Sequence, residues 1–113
     1  MDTHATRTTY TIEWAPFMLA AGVDETTLLA ASDALQRDFL SQQAGFLDRE
    51  LLKGAANQWV DIIHWESRAA VVQAMRNAQA SPVCHKYFAL MSPDSLDDPN
   101  GGISLFEQVQ RYA

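Results

Sequence analysis

Phe46-Leu47-Asp48-Arg49-Glu50-Leu51-Leu52-Lys53, followed by Gly54-Ala55-Ala56-Asn57 and, after Gln58, by Trp59-Val60-Asp61-Ile62-Ile63-His64-Trp65-Glu66, decides the fold. Both long runs are the length of a strand and alternate in side-chain character. In the first, Leu47, Arg49, Leu51 and Lys53 alternate with Phe46, Asp48, Glu50 and Leu52; the second is rich in β-branched and aromatic residues. The connection between them is a short cluster of turn formers, so the two strands are predicted to form an antiparallel hairpin.

Strand and helix patterns flank this hairpin on both sides, with no internal repeat. Upstream, Thr8 to Trp14 sets Tyr10, Ile12 and Trp14 against Thr9, Thr11 and Glu13, a strand pattern that Pro16 is expected to end. Asp24 is a suitable N-cap, after which Leu28, Ala31, Leu35 and Phe39, flanked by Leu29, Ser32 and Leu40, form the buried stripe of a helix ending near Gln42. Gly45 opens the second strand. Downstream, Ser67 caps a helix carrying Ala70, Val71, Ala74, Met75 and Ala78 on one face, and Ser81-Pro82 breaks it before a short helical piece from Val83 to Leu90. The segment Ser92 to Gly102 is dense in turn formers and reads as an exposed loop, and Ile103 to Tyr112 reads as the last strand. Only Met1 to Thr6 reads as a tail. The order is β-α-β-β-α-β, which predicts an α+β, ferredoxin-like domain over residues 1–113: a four-stranded antiparallel sheet with both helices on one face.

Charge narrows the range of partners. Eight Lys and Arg against 14 Asp and Glu give a net charge of −6 with no basic cluster, which argues against nucleic acid and against an anionic membrane surface. Hydrophobic residues make up 48% of the chain, enough for one core, yet no apolar run is long enough to span a bilayer. With one cysteine, Cys84, no internal disulfide can form, and the first residues lack a signal-peptide pattern; a cytoplasmic protein is expected. The histidines lack metal-ligand spacing, so no metal and no cofactor is expected. Both faces of the third strand are apolar, with Trp59, Ile63 and Trp65 on one and Val60 and Ile62 on the other. Helices can cover only one of them, which points to a homodimer closed through the opposite sheet face.

Gln42-Gln43-Ala44-Gly45-Phe46-Leu47 and Trp59-Val60-Asp61-Ile62-Ile63-His64-Trp65-Glu66-Ser67 resemble the antibiotic biosynthesis monooxygenase group of the dimeric α+β barrel superfamily. The shared features are a Gly-Phe step into the second strand and a strand-exit tryptophan followed by an acidic residue and Ser. The resemblance covers roughly Thr8 to Leu90. It implies a dimeric α+β barrel with a pocket between sheet and helices in each subunit, used in some members for cofactor-independent oxidation of polycyclic aromatic substrates. It also implies that Trp65 lines the pocket. In a haem-degrading branch, a histidine on the second helical segment ligates iron, close to where Cys84-His85-Lys86-Tyr87 lies. That branch also carries an asparagine on the first strand, for which Glu13, Trp14 and Ala15 offer no counterpart.

Trp65 is expected to stack on a small apolar or aromatic molecule, with Trp14, Tyr87 and Phe88 as further walls. Asp61 shares the strand face of Trp65, and in a desolvated pocket its carboxyl becomes a proton acceptor; His85 is the other candidate for moving a proton. His64 points to the opposite face. The function expected is oxidation of an aromatic substrate without a cofactor. The alternatives are a non-catalytic dimeric barrel holding an apolar metabolite and a haem-binding, haem-degrading monooxygenase.

Overall fold

The computed structural model describes residues 9–93 and 102–113. The elements are β1 (Thr11–Met18), α1 (Glu25–Asp38), β2 (Phe46–Lys53), β3 (Gln58–Trp65), α2 (Arg68–Ala78), α3 (Pro82–Phe88) and β4 (Ser104–Glu107), with one 3-10 turn at Leu40–Gln42 after α1. The strands form one antiparallel sheet in the order β2-β3-β1-β4. This is the four-stranded, ferredoxin-like α+β architecture read from the sequence.

Local chemistry places the helices as the sequence predicts. The Asp24 side chain accepts from the Thr27 N–H at 2.8 Å, and Ser67 accepts from Ala70. Ser81 caps α3 with Pro82 in its first turn, where a missing N–H costs nothing. The helices lay Leu28, Leu35, Val71, Ala74 and Tyr87 over Phe17, Trp59, Ile63 and Trp65 of the sheet, and these residues form the core.

Four local expectations are corrected. β1 begins at Thr11 rather than Thr8 and runs through Pro16, which stands opposite Val60. β4 pairs with β1 only from Thr11 to Trp14, so Pro16 lies past its end, where an absent N–H breaks no ladder on that side. β4 itself spans four residues instead of the ten from Ile103 to Tyr112. Beyond it Gln108 donates to the Tyr10 carbonyl at 2.9 Å, while Val109 and Tyr112 are exposed. In β2 a bulge between Phe46 and Asp48 breaks the strict alternation, so that Phe46 joins Arg49 and Leu51 on the helix-covered side and packs edge-on against Trp65. The helix expected to reach Gln42 ends at Asp38 and continues as the 3-10 turn. The expected N-terminal tail and most of the expected loop, residues 94–101, lie outside the described residues.

The sheet face away from the helices carries Trp14, Met18, Leu52, Val60, Ile62 and Phe106, and of these Trp14, Met18, Leu52 and Phe106 are exposed.

Gly45 marks a close approach of two backbones. Its φ is +84°, and a Cβ there would sit 2.6 Å from the Cβ of Ala70, while its carbonyl accepts from Glu66 at the end of β3. Gly45→Ala therefore combines left-handed backbone strain with a clash between β2 and α2. The expected loss is roughly 2–4 kcal/mol of stability, read as a lowered urea midpoint at unchanged m-value.

Candidate functional site

Between the sheet and the helices lies a cavity of about 270 Å³. Its walls are apolar, drawn from Phe17, Leu35, Phe39, Ile63, Val71 and Met75 among others, and Phe88 stands at its exposed side. The lining residues with a polar side-chain atom are few: Glu13, Asp61, Trp65, Cys84 and Tyr87.

Asp61 and Tyr87 belong to one hydrogen-bonded cluster. Arg49 Nε donates to Asp61 Oδ1 at 2.8 Å, and the Tyr87 hydroxyl donates to Asp61 Oδ2 at 2.6 Å. The Arg49 Nη2 donates to the Ser32 hydroxyl at 2.8 Å and to the Tyr87 hydroxyl at 3.1 Å, and Nη1 reaches the Ser32 carbonyl at 3.3 Å. Burial and the neighbouring Asp61 push the Tyr87 phenol well above its ordinary range, so it stays a proton donor. Burial opposes the Arg49 charge, but Asp61 and Tyr87 outweigh it and hold the guanidinium ionised. Burial likewise raises the Cys84 thiol.

Glu13 is different. It lies on the helix-covered side of β1, nine-tenths buried, and accepts one side-chain hydrogen bond, from Trp65 Nε1 at 3.0 Å. Burial pushes its carboxyl up to about 7; the indole bond pulls it down, Asp61 adds to the rise and Arg49 offsets part of it. No cation among the described residues pairs with it.

The sequence-derived candidates therefore divide. Asp61, Trp65, Tyr87 and Phe88 all line the cavity. The indole N–H of Trp65, which could have served a ligand, is spent on Glu13, and both oxygens of Asp61 are occupied. Trp14 is not brought to the cavity: it pairs with Ile62 on the opposite face of the sheet and is 42% exposed there. His85 is not brought there either, because its position on α3 turns the ring outward, where Nε2 lies 2.7 Å from the Gln79 carbonyl. An exposed His85 does not fit a haem ligand directed into the cavity. His64 lies on the face expected for it, with Nδ1 2.6 Å from Asp48. Among the described residues no three His, Cys, Asp or Glu side chains converge as a metal site.

Glu13 is the residue that sequence reasoning missed. The available signal was parity: Thr11, Glu13, Ala15, Phe17 and Leu19 share one side, and Phe17 and Leu19 announce that this side is buried. Ending the strand at Pro16 hid that continuity.

No protein-family profile matches the chain, and no curated protein sequence matches it. Solved structures do. SnoaB from Streptomyces nogalater, a cofactor-independent oxygenase, superposes with a TM-score of 0.61 at 17% identity over 95% of this chain and 97% of its own. A Bordetella bronchiseptica protein with a provisional antibiotic biosynthesis monooxygenase name gives 0.61 at 15% identity over 94% of this chain and 100% of its own. A similarly named Chloroflexus aurantiacus J-10-fl protein gives 0.60 at 14% identity, covering 93% and 97%. This chain shares their fold. The antibiotic-biosynthesis-monooxygenase-like fold thus agrees with the resemblance carried by the Gly45-Phe46 step and the Trp65-Glu66-Ser67 exit, and its coverage of nearly the whole chain places the cavity inside the shared domain.

A carboxyl buried in this way couples to stability. Because the folded protein holds the Glu13 proton up to about pH 7 and the unfolded chain only to about 4.5, stability from this group is full below 4.5 and lost as pH rises to 7. Glu13→Gln removes the effect. The variant should match the wild type near pH 4 and exceed it near pH 8 by up to about 3 kcal/mol in paired urea titrations.

Proposed function

We propose that this protein is a small-molecule oxygenase that binds an aromatic substrate in the cavity between sheet and helices and oxidises it with molecular oxygen without a cofactor. The observation that carries this reading is the cavity itself: an apolar chamber bordered by Trp65, Tyr87 and Phe88 whose few polar groups include two buried carboxyls. Its walls suit a planar apolar ring system, and its polar groups suit a substrate that must lose a proton. Direct reaction with oxygen requires an electron-rich substrate, and removal of a proton from carbon or phenolic oxygen produces one. The likeness in fold to SnoaB, a cofactor-independent oxygenase, supports the same kind of chemistry.

The functional unit is a homodimer joined through the sheet face away from the helices. Four large side chains, Trp14, Met18, Leu52 and Phe106, are exposed on that face, and a group of exposed apolar side chains marks an interaction surface. Sedimentation equilibrium at micromolar concentration should give about twice 12.6 kDa. Trp14→Glu should return the species to a single chain, and a wild type that remains monomeric would remove this part of the reading.

The almost wholly apolar lining also favours a second reading, a non-catalytic barrel that holds an apolar metabolite. Oxygen uptake separates the two. Anthrone and a panel of quinols should be consumed above the uncatalysed rate. Phe88→Ala, at the exposed side of the cavity, should raise KM roughly 2- to 10-fold without loss of fold, the worth of one aromatic contact. Oxygen uptake at the blank rate throughout, together with an apolar compound retained in native mass spectrometry, would favour the storage reading.

A further inference from the structure

Resting on the oxygenase reading above, we propose that Glu13 is the catalytic base of the cavity, the group that draws the proton from the bound substrate. The elimination of rivals is geometric. Asp61 has one oxygen on Arg49 and the other on Tyr87. Tyr87 donates its proton to Asp61 and accepts from Arg49, so it has no free role as a base. His85 is outside the cavity and His64 is on the far face of the sheet beside Asp48. Cys84, whose thiol burial keeps protonated, is no acceptor. Among the described residues that line the cavity, this leaves Glu13, whose carboxyl has no cation on it and only one oxygen engaged.

The fold fixes where that carboxyl points. Glu13 stands on β1 between Ile63 of β3 and Leu105 of β4, so the backbone on both sides is pinned. Trp65 Nε1 holds Oε1 at 3.0 Å and leaves Oε2 for the substrate, which makes Trp65 the positioning residue. The charged and titratable groups facing Glu13 are Asp61 from β3, Arg49 from β2 and Tyr87 and Cys84 from α3, with the exposed Glu107 of β4 on the same sheet face. α2 offers only apolar side chains such as Val71 and Ala74. Because Arg49 is committed to Asp61, Glu13 sees no compensating charge of its own and changes protonation near neutrality, where a base is most effective.

For the anthrone probe used below, the reaction balances as one methylene and one molecule of oxygen going to one ketone and one molecule of water. Glu13 carboxylate takes one methylene proton, breaking C–H and leaving the electron pair on carbon. The carbanion is oxidised by oxygen, which forms the C–O bond and becomes a peroxide anion; the Glu13 carboxylic acid returns its proton to the outer oxygen. Glu13 then removes the second C–H proton as the O–O bond breaks, and the departing hydroxide takes that proton as water.

The test uses the intact protein with anthrone as probe, in two arms. In air, Glu13→Gln should lower kcat by roughly 10²- to 10⁴-fold while the anthrone dissociation constant stays within about threefold, and Glu13→Asp should retain part of the rate. Wild-type kcat/KM should climb with pH to a plateau above about 7, and that limb should vanish in Glu13→Gln. Without oxygen, in deuterium oxide, wild type should exchange the anthrone methylene protons above the blank and Glu13→Gln should not. If wild type consumes no oxygen, the oxygenase reading falls while the exchange arm still decides on Glu13. Exchange that persists in Glu13→Gln, or exchange no faster than the blank in wild type, overturns the proposal. If Glu13→Gln does not fold, the wild-type profile decides alone, and a rate flat from about pH 5.5 to 8.5 overturns it.

Discussion

Arg49 is where the sheet and the helices are joined by charge. From β2 its guanidinium reaches Asp61 on β3, the hydroxyl and carbonyl of Ser32 on α1, and the hydroxyl of Tyr87 on α3. The Arg49 and Asp61 side chains are each only 6% exposed, so both ions give up most of their water, a cost of several kcal/mol apiece that geometry must offset. It does so by filling both carboxylate oxygens and donors on three guanidinium nitrogens. Loss of Arg49 would leave Asp61 buried with one of its two partners and Ser32 without this donor, which is why the cluster constrains the relative positions of four elements at once.

The same cluster sets the chemistry of the cavity. Asp61 stays beside it as a saturated negative charge, and Arg49 cannot turn to Glu13 without abandoning three partners. The field at Glu13 is therefore nearly fixed by groups that do not themselves react. A buried carboxyl usually finds a cation or loses its charge; here the structure supplies an indole N–H, enough to orient the group but too little to ionise it fully.

Most of the framework was legible in the sequence because it depends on local rules. Asp24, Ser67 and Ser81-Pro82 announce helix starts through hydrogen bonds reaching three residues ahead. The hairpin follows from alternation and a four-residue turn in which Ala56 and Asn57 take positive φ. What could not be read were relations between distant segments. The pairing of Trp65 with Glu13 depends on the register of β1 against β3. The capture of Asp61 depends on Arg49 pointing to the helix side, which the bulge at Phe46 makes compatible with Phe46 facing the same way. Trp14 is a candidate aromatic wall by residue type, and strand parity sends it to the other side. His85 is a candidate by its place in the chain, and rotation about a seven-residue helix carries it outward.

The outer edge of β1 bears on how the protein behaves in a crowded solution. β4 stops pairing opposite Trp14, and the next backbone contact on that edge is made by Met91 and Ser92, at Leu19 and Met18. Ala15 and Phe17 turn their backbone groups to β3, so among the described residues Pro16 is the position of β1 that faces this edge with no strand opposite, and an unpaired edge is where a strand from another molecule can add. Pro16 has no N–H to offer there. A residue that looks from sequence like the end of a strand thus lets β1 continue as a wall of the cavity while offering an added strand no donor at that point.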